Sequence, residues 1–267
     1  MTELATTQPL TPFSVLLIGD SCLDEYHYGI VERISPEAPV PILKITRTEI
    51  KPGMAANVKD NLEALGLEVD FMTGGTRSIK KRFIDERSKQ HIIRVDEDKP
   101  NLPFNAWRDS LVYNQYDAII ISDYDKGFIT YDNVRAVREQ FQGPIFIDSK
   151  KKDLAQFEGC YVKVNELERS VATSSCANLI TTLAGDGAEY QGIRYPAKKV
   201  EVVDVCGAGD TFISALVAQY LKTKDIDDAI DFAISAASIS VQHSGVYSLT
   251  KQDIENIENE QIFLQLI

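Results

Sequence analysis

The sequence predicts an α/β fold on a mostly parallel sheet covered by helices on both faces, and three observations carry that prediction. First, SVLLIG at 14–19 is a continuous apolar run, AIII within YDAIIISDYDKG at 116–127 is another, and PIFIDSK and YVKVN follow as further strands. Runs of this length without polar alternation mark strands buried on both sides. Second, stretches with helical spacing of small and apolar residues lie between or after them, at 55–65, 131–141 and 226–241. Strands alternating with helices favour parallel pairing. Third, the runs end in polar or glycine-containing turns such as Gly19-Asp20, at the strand ends where open α/β sheets bind ligands.

Composition narrows the function. At 267 residues and 44% hydrophobic content the chain can bury one large core, or a core with a small appendage. A formal charge of -12 supplies no basic excess for nucleic acid or an anionic membrane surface, so neither is expected as a partner. Cys22, Cys160, Cys176 and Cys206 form no CxxC pair and accompany no secretory leader, which predicts reduced thiols and a cytoplasmic protein. MTELATTQPLTP reads as a loose tail, and no apolar run is long enough to span a bilayer. Walker, GxSxG, HExxH and helix-opening GxGxxG motifs are all absent.

In chain order, the first strand is followed by Asp20 and Asp24 in GDSCLDEYHYG, either solvated turn carboxylates or acceptors for hydroxyl donors. Residues 26–50 are β-branched and interrupted by prolines, which suits edge strands of a flap. KPGMAANVKDNLEALG predicts a helix at 55–65 closed by Gly66. LEVDFMTGG, 67–75, is expected as another buried strand. TRSIKKRFIDERSKQHIIRVDED reads as a hairpin with Lys80 and Arg82 on one face, either a guarded edge or a grip for a phosphate. Lys126 follows the strand of YDAIIISDYDKG and either meets a phosphate or caps a helix. Asn165 and Glu168 form an NxxE at a helix start, by itself a common capping pattern. Lys150 and Lys163 lie near strand ends, and Thr182, Gly185 and Gly187 belong to a glycine turn.

The most telling stretch is EVVDVCGAGDTFISALVAQYL, in which Asp204 is followed by the turn Gly207, Ala208, Gly209 and a helix opening at Asp210. Small residues let backbone N–H groups approach an anion, and the positive end of the helix points at it. A carboxylate at that mouth can take a proton from an attacking hydroxyl. Taken alone, GAGD is equally an ordinary helix cap.

This segment resembles the C-terminal signature of the ribokinase/PfkB family of sugar kinases, with Asp204, Gly207, Ala208, Gly209, Asp210, Ser214 and Ala215 at the matching positions. RISPEAPVP at 33–41 and SDYxKG are closer to one branch, the D-glycero-D-manno-heptose 7-phosphate kinases. The resemblance runs from Val15 to Ile254. It implies a ribokinase-like three-layer sandwich, a single domain over 1–267, with a small β lid from 25–50 and 77–97. It implies ATP and Mg2+, leaves room for a monovalent cation such as K+, and suggests a homodimer through the lid. Asp210 would be the catalytic base and Gly207–Gly209 the anion hole. Asp20, Asp24, Gly53, Asn57, Lys80, Arg82 and Lys126 would face a sugar phosphate. Lys150, Lys163, Asn165, Thr182, Gly185, Gly187, Asp204, His243 and Gly245 would lie by the nucleotide, with Asn165 and Glu168 ordering the water around its magnesium. Met54 stands where the family has the second glycine of a pair, Lys59 and Ala184 replace small or glycine residues, and an α/β unit on the order of 30 residues is missing before Thr76. The expected reaction is phosphorylation of the heptose 7-phosphate at its anomeric carbon. A kinase of another sugar or sugar phosphate, or a degenerate sugar- or nucleotide-binding regulator, are the alternatives.

Overall fold

The computed structural model describes residues 12–106 and 112–265, the last four as backbone only. All but the final residue of the expected N-terminal tail lies outside them. Eight strands form the main sheet in the order β12-β11-β10-β9-β8-β7-β1-β4. They are β1 (Ser14–Gly19), β4 (Glu68–Thr73), β7 (Ala118–Asp123), β8 (Ile145–Ser149), β9 (Tyr161–Asn165), β10 (Leu179–Thr182), β11 (Ala188–Tyr190) and β12 (Ile193–Tyr195). From β4 to β10 all pairing is parallel, and β11 and β12 add an antiparallel edge.

Side-chain alternation along the buried strands sorts two cores. Val15 and Leu17 of β1, with Ile120 and Phe146, pack against Val58 and Leu62 of α1 (Ala55–Ala64), Leu216 of α4 (Ala208–Thr223) and Ile230 of α5 (Ile226–Ser240). Leu16 and Ile18, with Ile119 and Ile147, face Val134 and Val137 of α2 (Tyr131–Gln140) on the opposite side. The result is the three-layer arrangement expected. Thr130 and Asn133 close a reciprocal capping box that starts α2.

A second sheet of four strands, β3-β2-β5-β6, joins β2 (Ser21–Ile34) and β3 (Pro41–Met54) to β5 (Ser78–Asp85) and β6 (His91–Glu97). Its first segment, 21–54, runs slightly beyond the expected 25–50, and its second, 78–97, starts one residue after the expected 77. Pro41 and Pro52 fall on the edge strand β3, where a missing N–H is harmless.

One expectation needs amendment. β4 is not a buried strand: it is the sheet edge, and its residues alternate between exposed and half-buried along Glu68–Phe71. Among the described residues no strand pairs with its outer side. At the start of α1, Met54 is held at φ 59°, ψ −132°, a conformation glycine adopts freely and a methionine does not, while its side chain is buried. Gly66 closes the same helix at φ 87°, as anticipated.

Candidate active site

The C-terminal ends of β1, β7, β8 and β9 face the N-terminus of α4. Gly207 initiates that helix at φ 81° with no side-chain cap, and the Ala208 N–H turns back to the Val205 carbonyl at 3.3 Å, which leaves the next N–H groups of the first turn without a cap. Gly209 leaves room for Lys163, whose Nζ would lie 2.7 Å from any Cβ added there. Gly207, Ala208, Gly209 and Asp210 line one wall of a cavity of about 810 Å3.

Asp210 is 6% exposed, and both its oxygens are engaged. Asn57 Nδ2 donates to Oδ2 at 2.8 Å and the Tyr124 hydroxyl donates to Oδ1 at 2.9 Å. Burial, reinforced by the charge of Asp148, raises its pKa to about 6, against the pull of the two hydrogen bonds and of Lys163. It is therefore ionised at neutral pH but closer to protonation than an ordinary aspartate, the condition suited to a general base.

Along the rest of the cavity the structure gathers Lys150, Lys163, Asn165, Thr182, Gly185 and Gly187. Lys163 pairs with Asp148 at 2.8 Å, both nearly inaccessible. Asn165 and Glu168 form a reciprocal capping box at 2.8 Å in each direction, and Glu168 also binds the Lys150 ammonium. The common capping role of NxxE is thus present, at the rim of the cavity. Leu167, Val205, Ala237 and Val241 add an apolar patch to the wall, a surface suited to a flat heterocycle, with Lys198 and Lys199 nearby on the lining.

Other predicted residues lie elsewhere. Asp204 and Gly245 are not on the cavity wall: Asp204 accepts from the N–H groups of Cys206 and Gly245, both at 2.9 Å, and ties two loops together. His243 is exposed, stacks on Tyr247 and is not on the cavity wall, to which the end of α5 contributes Ala237 and Ser238. Asp20 is fully buried, and its Oδ2 accepts from the backbone N–H groups of Tyr124 and Lys126, so it shapes that loop rather than facing a sugar. Lys126 is turned to Asp98 at 2.5 Å. On the lid side, Asp24 and Arg82 form a buried ion pair, Arg82 Nη2 also reaches the Cys206 sulfur at 3.3 Å, and a Cβ on Gly53 would collide with Asp24. Arg82 is consequently committed to Asp24, whereas Lys80 lies 5.3 Å from the Tyr124 ring with no carboxylate partner within ion-pair distance among the described residues. Tyr124 and Asp148 were not singled out from the sequence. Tyr124 sits in the quoted phrase SDYDKG, so the signal was present without its geometry.

Asn165 on the cavity wall, the Glu168 carboxylate hydrogen-bonded beside it, and the buried Asp148 Oδ1, which has no hydrogen-bond partner among the described residues, offer hard oxygen donors that fit a hydrated Mg2+ arriving with a nucleotide.

Residues 153–253 match the model of the pfkB family carbohydrate kinases. That segment carries Lys163, Asn165 and the Gly207–Asp210 turn of the cavity wall, and over it the chain is similar to those sugar kinases. Among its relatives, the bifunctional protein HldE of Nitratiruptor sp. is 30% identical over 91% of this chain and 64% of its own length. That of Hyphomonas neptunium is 31% identical over 90% of this chain and 62% of its own length. The chain thus spans somewhat under two thirds of these curated relatives. Arabidopsis thaliana ribokinase complexed with ribose and ATP superposes with a TM-score of 0.70 at 16% identity, covering 92% of this chain and 99% of that one. No described helix is long and apolar enough to cross a membrane.

Proposed function

We propose that the chain transfers the γ-phosphoryl group of ATP to a sugar hydroxyl, with D-glycero-D-manno-heptose 7-phosphate as the acceptor and the 1,7-bisphosphate as product. The observation that carries the reading is Asp210: an ionisable carboxylate at an uncapped helix N-terminus, on the wall of a cavity with cationic and apolar sides. Asp210 accepts the proton of the attacking hydroxyl. The N–H groups of the Gly207–Gly209 turn and the Lys163 ammonium stabilise charge on the transferring group. Asn57 and Tyr124 hold the carboxylate in place. Asn165 and Glu168 would hold Mg2+ through water, and when bound it neutralises nucleotide phosphate charge. Lys80 is a lid cation available to a distal phosphate.

The heptose assignment draws on the 30% and 31% identical HldE relatives and on RISPEAPVP and SDYxKG. A different sugar phosphate is the second reading, favoured by Met54 at a strained glycine position beside the lid hinge and by the commitment of Arg82 to Asp24. Pairing of lids between two copies, a monovalent cation, a single domain and cytoplasmic residence belong to the same proposal. The test is ATP consumption with a panel of sugars and sugar phosphates. Turnover confined to the heptose 7-phosphate supports the reading, preference for another acceptor selects the second, and no turnover with any member overturns both.

A further inference from the structure

We infer that Tyr124 is a positioning residue for Asp210: its hydroxyl fixes the Oδ1 side of the carboxylate and stabilises the ionised form that accepts the substrate proton. The inference rests on reading Asp210 as the base and assigns a role to a residue outside the glycine signature.

The geometry is specific. Tyr124 follows directly on β7, and its backbone N–H is held by Asp20 Oδ2 at 3.1 Å, which sets the direction in which the side chain leaves the strand. Asp20 is itself fully buried, so this anchor is shielded from water. The ring then crosses to the start of α4, where the hydroxyl meets Asp210 Oδ1 at 2.9 Å across 86 residues of sequence. On the other side, Asn57 holds Oδ2. The carboxylate plane is thereby fixed by one donor on each oxygen, and each oxygen keeps a second lone pair for an incoming hydroxyl. The Lys80 and Lys150 ammonium groups each lie 5.3 Å from the ring centroid, so the same side chain spans from a lid cation to a cation of the nucleotide side.

The hydroxyl serves as a donor throughout the working pH range. Burial, and then the neighbouring Asp210 charge, push the Tyr124 phenol well above its ordinary value. A neutral phenol donating to a carboxylate favours the charged form and lowers its pKa. The other groups facing Asp210 are Asp148, which raises its pKa, and Lys163, which lowers it. Cys22 and Lys150 lie near enough to sense the Asp210 charge. A change confined to the Tyr124 hydroxyl leaves all four in place.

Tyr124→Phe removes the donor and keeps the ring between the two cations. The experiment is a 13C NMR titration of the full chain labelled at aspartate Cγ, with the Asp210 signal identified by its loss in Asp210→Asn. The Asp210 midpoint is expected to rise by about one pH unit in Tyr124→Phe. An unmoved or lowered midpoint overturns the inference. Should Tyr124→Phe not fold, 3-fluorotyrosine placed at position 124, a stronger donor, is expected to lower the midpoint, and an unmoved or raised one overturns the inference. With an acceptor in hand, the acidic limb of kcat/KM should move with the NMR midpoint while KM for ATP stays within about twofold, a split that a merely structural role would not produce. If the wild type phosphorylates nothing, the proposed function fails, and the titration still decides the role of Tyr124.

Discussion

Asn57 Nδ2 of α1 lies 2.8 Å from Asp210 Oδ2 of α4, so the helix after the lid strands and the helix after the glycine turn meet in one buried hydrogen bond. The seam continues below it: Thr211 Oγ1 donates to Asn61 Oδ1 at 3.2 Å, Asn61 Nδ2 donates to the Asn57 carbonyl at 2.9 Å, and Ser214 Oγ donates to the Val58 carbonyl at 3.2 Å. A buried polar ladder of this kind is costly to break at one rung, because the partner left behind loses its donor without regaining water. Asn57→Ala is expected to lower folding stability by about 1–3 kcal/mol and kcat by about tenfold or more. Urea denaturation and steady-state kinetics measure the two effects, and wild-type values for both would remove the contact from either role.

The raised pKa of Asp210 couples activity and stability to pH in opposite senses. Activity needs the ionised carboxylate, so it should fall as pH drops through about 6. For stability, the folded pKa lies above the unfolded value of 3.8, so the folded state binds the proton more tightly. The Asp210 contribution therefore favours folding below the unfolded pKa and is lost as pH rises from about 4 to about 6. Asp210→Asn abolishes that burden at neutral pH, although its amide offers only one acceptor to two donors. Turnover is expected to drop by orders of magnitude while Tm at pH 7 equals or exceeds wild type by about 2–4 °C. A calorimetric scan showing a clear loss of Tm would contradict this account of the buried charge.

The fold was legible where residues answer to local physics. β1 and β7 are built on continuous apolar runs and β8 opens on one because both faces are covered, and the GAGD turn needs glycine at Gly207 for its torsions. β4 was overread: Glu68, Val69, Asp70 and Phe71 alternate, and alternation means one wetter face, as an edge strand has. Asp20 shows a different limit. A carboxylate just past a strand looks the same in sequence whether it faces a ligand or, as here, holds two backbone N–H groups. Tyr124 acquires its role only when β7 and α4 are brought side by side, which no spacing within SDYDKG reveals. His243 and Gly245 follow α5 closely in sequence, yet the helix end itself fills the cavity wall.

Glu168 separates a structural from a metal role. Its Oε2 caps the Asn165 N–H and its Oε1 pairs with Lys150. A glutamine retains the capping geometry and removes the charge. Glu168→Gln is therefore expected to change Tm little while raising the Mg2+ concentration for half-maximal turnover several-fold. An unchanged Mg2+ dependence would leave the residue a cap and nothing more.

Met54 offers a test in which the usual ranking of two substitutions inverts. Its φ of 59° with ψ −132° lies in a region that costs a side chain about 1–3 kcal/mol. Its side chain is 3% exposed, and burial of a methionine offsets about 1.5–3 kcal/mol. Met54→Ala surrenders the burial and keeps the strain. Met54→Gly surrenders the same burial but releases the strain. In most positions glycine is less stable than alanine, since the unfolded chain gains more freedom. Here Met54→Gly is expected to exceed Met54→Ala in stability by about 1 kcal/mol, with Met54→Gly itself close to wild type. Guanidinium denaturation of the three proteins measures the order directly. If alanine proves the more stable, the backbone at residue 54 is not strained, and the methionine is an ordinary core residue at the base of the lid.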